Sequence, residues 1–112
     1  HQALNLKNLR GAIETAILAQ IDSGLVPSRK TVADKLGLGE RTLLRRLQDE
    51  GISYKEIQEQ VFEKLARHWL KRSESMNFIA EKLCYSDAAS LRKMLKRRTG
   101  LSVRELRASL LD

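Results

Sequence analysis

Two runs of this sequence carry side chains whose types and spacing suit the capture of anions. The first, "ERTLLRRLQDE" (residues 40–50), sets Arg41, Arg45 and Arg46 around an apolar repeat of Leu43 and Leu47. The second, "AASLRKMLKRRTG" (residues 88–100), sets Arg92, Lys93, Lys96, Arg97 and Arg98 around Leu91 and Leu95. Leucines four residues apart define one side of a helix, and the cations occupy the rest of its circumference. Arginine presents a planar fork of donors that matches a phosphate or the edge of a guanine. Lysine meets a phosphate as a point charge.

Other chemistries find no footing. His68 falls within an apolar arc with no partner at metal-ligand spacing, and reads as a packed histidine. Trp69, Phe62 and Tyr85 read as core. Glu59 and Glu63 share a helical face as paired carboxylates would, but the pattern reads that face as solvated and salt-bridged. "GLGE" lacks the remaining glycine and the lysine of a phosphate loop. Cys84 is the only cysteine, so no internal disulfide forms and a cysteine metal site is not expected. No nucleophile–base pair, metal cluster or cofactor motif stands behind an enzyme reading, and no cofactor is expected.

Composition agrees with an anionic partner. The formal net charge is +7, and residues 88–112 hold seven Lys/Arg against two Asp/Glu. With 42% hydrophobic residues and one proline, the chain can build a helical core. No apolar run approaches the length of a membrane span, no signal peptide precedes the first helix, and a reducing compartment is expected. The chain opens at His1 rather than Met, which reads as an excised fragment.

Hydrophobic spacing predicts the elements that must hold the cations. A helix capped by Asn5 runs to about Asp22, with Leu6, Leu9, Ile13, Ala16, Ile17 and Ile21 on one side and Gln20 as the polar intruder. "SGLVP" breaks it. Short helices are expected over 29–36 and 76–83, longer ones over 40–50 and 87–99, and a last one after Ser102. The longest, over 54–71, places Tyr54, Ile57, Val61, Phe62, Leu65 and Trp69 on an arc of about 140°, wider than the usual stripe of about 100°. Its 18 residues would span about 27 Å, as a rigid connector. The fold class is all-α, with about seven helices. The expected organisation is an N-terminal helix over 1–27 packed on a first lobe, the lobe itself over 28–53, the connector over 54–72, and a second lobe with the C-terminal helix over 73–112.

The chain also repeats itself. "GISYKEI" (51–57) returns as "GLSVREL" (100–106). Gly51 and Gly100 suit a left-handed position past a helix end, and Ser53/Glu56 and Ser102/Glu105 have the spacing of capping boxes. Upstream, "TVADKLGLGERTLLRRL" (31–47) matches "FIAEKLCYSDAASLRKML" (78–95). Val32 aligns with Ile79, Ala33 with Ala80 and Leu36 with Leu83; one extra residue in the second turn then aligns Leu43 with Leu91 and Leu47 with Leu95. A short helix, a tight turn and a second helix buried through leucines make a helix-turn-helix, present twice.

With these residues the chain resembles the AraC/XylS family of bacterial transcription regulators, over about residues 28–107. The resemblance implies two helix-turn-helix lobes joined by one long helix, with a recognition helix from each lobe in adjacent major grooves of double-stranded DNA. It also implies a bacterial cytoplasmic protein at the nucleoid, activation by contact with RNA polymerase, and an effector or dimerisation domain outside this chain. A connector of about 27 Å is the right order to span grooves about 34 Å apart. Three positions depart from the family pattern. Cys84 stands at a turn position usually held by glycine, where a left-handed backbone would cost roughly 1–2 kcal/mol. Gly39 stands where a serine commonly caps the recognition helix, and Val103 replaces a common proline.

By position in the motif, the base-contact candidates are Arg41, Thr42, Leu44 and Arg45 in the first lobe and Ala88, Ala89, Arg92 and Lys93 in the second. Leu44 suits a thymine methyl or the core. The phosphate-contact candidates are Ser28, Arg29, Lys30, Arg46, Ser75, Asn77, Lys96, Arg97 and Arg98, with Arg104 and Arg107 weaker. The first lobe is expected to supply more discrimination and the second more backbone affinity. Two rivals remain open on sequence alone: a helical protein-interaction module with a basic surface, and a nonspecific architectural DNA binder.

Overall fold

The computed structural model describes residues 6–111, with side chains from Leu9 onward. Among these are seven helices and no strand: α1 (Leu6–Asp22), α2 (Arg29–Lys35), α3 (Glu40–Asp49), α4 (Tyr54–Lys71), α5 (Met76–Lys82), α6 (Ala88–Thr99) and α7 (Val103–Leu110). The all-α expectation holds. The expected cap at Asn5 lies outside the described residues. The chain divides between Val61 and Phe62 into two compact units. Unit 1 takes α1–α3 and the first turns of α4; unit 2 takes the rest of α4 and α5–α7.

Local signals end the helices. At five joints a residue in the left-handed region closes the helix with two backbone bonds. Gly24, Gly37, Gly51, Ser73 and Cys84 hold φ of 76°, 73°, 71°, 65° and 65°. At the second joint, Gly37 N–H donates to Asp34 and Leu38 N–H to Ala33; at the fifth, Cys84 N–H donates to Glu81 and Tyr85 N–H to Ala80. Cys84 thus repeats Gly37 with a Cβ attached, as the resemblance anticipates. Ser73 does the same at the end of α4, where the sequence signalled only a break. Ser28, Ser75, Asp87 and Ser102 cap α2, α5, α6 and α7 through their side chains, and Ser102/Glu105 completes both halves of a capping box. Ser53 accepts the N–H of Glu56 at 3.0 Å.

In unit 1 the core joins Leu9, Ile13, Ala16, Ile17 and Ile21 of α1 to Val32, Ala33, Leu43 and Leu47, all buried, with Tyr54, Ile57 and Val61 of α4. Gln20, buried in this apolar face, accepts the Thr31 hydroxyl at 2.9 Å and so links α1 to α2. Arg10 of α1 donates to the Gln60 side-chain carbonyl of α4. In unit 2, Phe62, Ala66 and Leu70 of α4 meet Met76, Ile79, Ala80, Leu83, Leu91, Met94, Leu95 and Leu106.

Three expectations for α4 fail. His68 is exposed rather than packed, and Leu65 and Trp69 are only half-buried. The buried line in unit 2 runs instead through Phe62, Ala66 and Leu70, spaced by four. Trp69 packs one edge against Phe78, centroids 5.9 Å apart, and Tyr85, also half-buried, meets Phe62 in the same way at 5.9 Å. Glu59 is 7% exposed rather than solvated. Glu63, by contrast, is salt-bridged as expected, to Arg67 at 3.1 Å.

Candidate nucleic-acid interface

Each unit builds its candidate reading helix in the same way. Val32 and Ala33 of α2 and Leu43 and Leu47 of α3 are buried together. Their counterparts Ile79, Ala80, Leu91 and Leu95 are buried in unit 2. Truncating any one of these leucines to alanine would cost about 2–5 kcal/mol. The side of each second helix away from this contact faces solvent.

On α3, Arg41 and Arg45 are exposed, while Thr42, Leu44 and Arg46 are half-buried. Arg41, Leu44 and Arg45 line one shallow groove with Glu40 and Gln48. On α6, Ala89, Arg92, Lys93, Lys96 and Arg97 are exposed, and Ala88 and Ser90 half-buried. Arg92, Lys93, Lys96 and Arg97 line a second groove that ends on Ser102 and Val103. Lys96 also donates to the Gly100 carbonyl at 3.3 Å, so part of its role is to close the helix C-terminus.

The phosphate candidates are dispersed. Ser28, Arg29 and Lys30 are exposed at the start of α2, but Arg29 pairs with Glu40 at 3.2 Å and Lys30 with Asp34 at 3.4 Å. Such surface pairs are worth little and yield readily to a competing anion. Ser75 and Asn77 are exposed at the start of α5. Arg98 departs from the rest of its run. Its side chain is 14% exposed and pairs with Glu63 at 2.9 Å, which fastens the end of α6 to α4 inside unit 2. A guanidinium so placed is a structural strut, and Arg98 leaves the set of surface cations.

The structure adds residues that sequence spacing ranked low. In unit 2 one groove gathers Ser75, Asn77, Arg92, Arg104 and Arg107, from the starts of α5 and α7 and the flank of α6. In unit 1 the corresponding groove is lined by Arg29, Leu44, Tyr54, Lys55 and Gln58, among others. The repeat aligns Lys55 with Arg104 and Gln58 with Arg107. Gln58 donates to the Pro27 carbonyl at 2.9 Å, and Arg107 donates to the Glu74 carbonyl at 2.8 Å. Both carbonyls belong to the residue before the serine cap of the first helix of the motif. Lys55 and Arg104 lie in the second halves of the repeated heptads and Gln58 and Arg107 just past them, but only the fold brings them beside α2 and α5.

Charge and caps shape the two reading helices differently. Asp87 accepts the Ser90 N–H at 2.8 Å, and this backbone bond holds its carboxyl below the usual range. Gly39, at the same place before α3, makes no side-chain cap. Tyr54, buried beneath the start of α2, donates to the Pro27 carbonyl at 3.0 Å; burial pushes its phenol up to about 12.

Comparison with known proteins agrees with this construction. Residues 32–109 match the helix-turn-helix domain family. The chain is 39% identical over 84 residues to the HTH-type transcriptional regulator VqsM of Pseudomonas aeruginosa, a match covering 74% of this chain and 26% of VqsM. It is similar to the crystal structure of the transcriptional regulator CdpR from Pseudomonas aeruginosa, with TM-score 0.75 and 33% identity over 90% of this chain and 32% of that one. A DNA-binding transcriptional dual regulator from Escherichia coli K-12 shares the fold, with TM-score 0.82 at 18% identity, over 99% of this chain and 98% of that one. The chain spans about a quarter to a third of the two Pseudomonas proteins. The duplicated helix-turn-helix, its leucine-buried second helices and the family match together make this chain a member of the AraC-type helix-turn-helix family.

Proposed function

We propose that this chain is a double-stranded DNA-binding domain of a transcription regulator. It reads sequence through α3 and α6 and gains affinity from Lys/Arg contacts to phosphates. The observation that carries the reading is the exposed cationic side of both second helices: Arg41 and Arg45 on α3, Arg92 and Lys93 on α6, each opposite fully buried leucines. Arg45 and Arg41 have the fork geometry for guanine, and Leu44 an apolar tip for a thymine methyl. Thr42, Ala88 and Ala89 contribute small contacts at the entering ends. Ser28, Arg29, Lys30, Arg46, Ser75, Asn77, Lys96 and Arg97 serve the backbone.

That the two grooves are adjacent ones is carried by the family resemblance. So are contact with RNA polymerase and an effector or dimerisation domain elsewhere in a longer regulator. The relatives are regulators rather than enzymes, and no reaction is assigned to this chain.

Footprinting on randomised duplexes, followed by titration across a salt series, tests the reading. The expected result is two protected patches one helical turn apart and an affinity that falls linearly in log–log terms with salt. Indifference to duplex DNA would overturn it in favour of an acidic protein partner. Salt-dependent binding with no enriched sequence would leave an architectural binder.

A further inference from the structure

The repeat makes the two units comparable residue by residue, and the comparison isolates one difference. Aligning Leu43 with Leu91 places Leu44 opposite Arg92. Each lines the groove between the start of the first helix of its motif, the second helix, and the helix that follows. In unit 2 that groove carries three arginines: Arg92 and Arg104, both exposed, and Arg107, half-buried. Arg107 spends one guanidinium nitrogen on the Glu74 carbonyl, which fixes the fork beside Ser75 and leaves further N–H donors. In unit 1 the equivalent positions hold Leu44, Lys55 and Gln58, and Arg29 at the place of Met76 adds a second cation to that groove, already paired with Glu40.

We infer that the unit 2 groove is the fuller seat for the sugar–phosphate backbone, and that Leu44 weakens this role in its counterpart in unit 1. The inference rests on the DNA-binding reading above and assigns Arg92 and Arg104 to phosphates rather than base edges. A helix-turn-helix lays its first helix across the backbone while the second enters the groove. The strip between those helices is therefore where phosphates pass. A fork anchored from behind, as Arg107 is, loses less freedom on meeting phosphate than a free side chain. Unit 1, with an apolar tip at the same place, is left to discriminate by contact with base edges.

Salt titrations of the intact chain on a panel of duplexes test this, with wild type, Arg104→Gln and Leu44→Arg side by side. Arg104→Gln should weaken every duplex alike and reduce the log–log salt slope by about 0.9, one phosphate contact, with base preference unchanged. Leu44→Arg should steepen the slope by a similar amount and relax preference at one position. If wild type is salt-dependent but Arg104→Gln keeps the full slope, or alters preference at a single base, the seat is wrong while the DNA-binding reading stands. An unchanged slope for Leu44→Arg overturns the equivalence of the two grooves. Failure of wild type to bind any duplex sinks the functional reading itself.

Discussion

The hydroxyl of Tyr54 donates to the carbonyl oxygen of Pro27 across 3.0 Å, from a side chain only 6% exposed. Gln58, one turn further along α4, donates to the same oxygen at 2.9 Å. Two donors on one carbonyl fix the loop that delivers Ser28 and Arg29 to the start of α2. Because the phenol is held up to about 12 from 10.0, its share of stability is complete below pH 10 and is lost as pH rises toward 12. The loss approaches about 2–3 kcal/mol at the top of that window. Tyr54→Phe should remove that alkaline slope while costing about 1 kcal/mol at neutral pH, read by urea denaturation across pH.

Cys84 and Ser73 both hold φ of 65°, in joints built like the one that Gly37 closes. A left-handed non-glycine residue costs roughly 1–2 kcal/mol, while glycine gives back about 0.5–1 kcal/mol in chain entropy. Cys84→Gly should therefore stabilise unit 2 by about 0.5–1 kcal/mol, seen as a higher urea midpoint with unchanged m. No atom stands within 4 Å of a Cβ built on Gly37, so any penalty for Gly37→Ala reports the backbone alone.

Asp87 caps α6, whereas Gly39 leaves α3 without a side-chain cap. Gly39→Ser should add a few tenths of a kcal/mol, and Asp87→Ala should lower the urea midpoint. The Asp87 carboxyl is held low by the Ser90 N–H, so its contribution is present above the ordinary aspartate range and fades as pH falls through the lowered value. Acid unfolding of Asp87→Asn should begin with a shallower slope than that of the wild type.

Glu63 receives Arg67 at 3.1 Å and Arg98 at 2.9 Å. Removing the carboxylate takes from Arg98 the ion pair it holds at 2.9 Å. Glu63→Ala should cost about 1–3 kcal/mol, more than Arg98→Met, which removes the charge as well. A double-mutant cycle measures the difference. Loss of duplex binding by Arg98→Met at full stability would return Arg98 to the DNA surface.

On DNA, Arg45→Ala should cost about 1–3 kcal/mol and relax preference at one base pair. Lys96→Ala should weaken all sequences alike and lower the salt slope by about 1. The reverse pattern would exchange their roles.

Much of this was legible in the residues. Leu43, Leu47, Leu91 and Leu95 announced both second helices by spacing alone, and Ser102 with Glu105 announced a cap. The failures on α4 have a physical source. An arc drawn by side-chain hydrophobicity favoured Trp69 and Leu65, whereas close packing favoured Ala66, whose small size carries almost no signal. His68 followed the same false arc outward to solvent. The arginine groove was illegible for another reason. Arg92 lies 12 positions before Arg104, and nothing local says that the start of α7 folds beside the start of α5.

Helix ends settled by their own neighbours have a kinetic meaning. Five stops are written into adjacent peptide groups, and the hairpins they create unite segments close along the chain. Little loop entropy must be spent before contacts begin to repay it, so refolding should be quick, in the microsecond-to-millisecond range typical of helical proteins with mostly local contacts. Temperature-jump relaxation read by tryptophan fluorescence, with Trp69 as the single tryptophan, would time it.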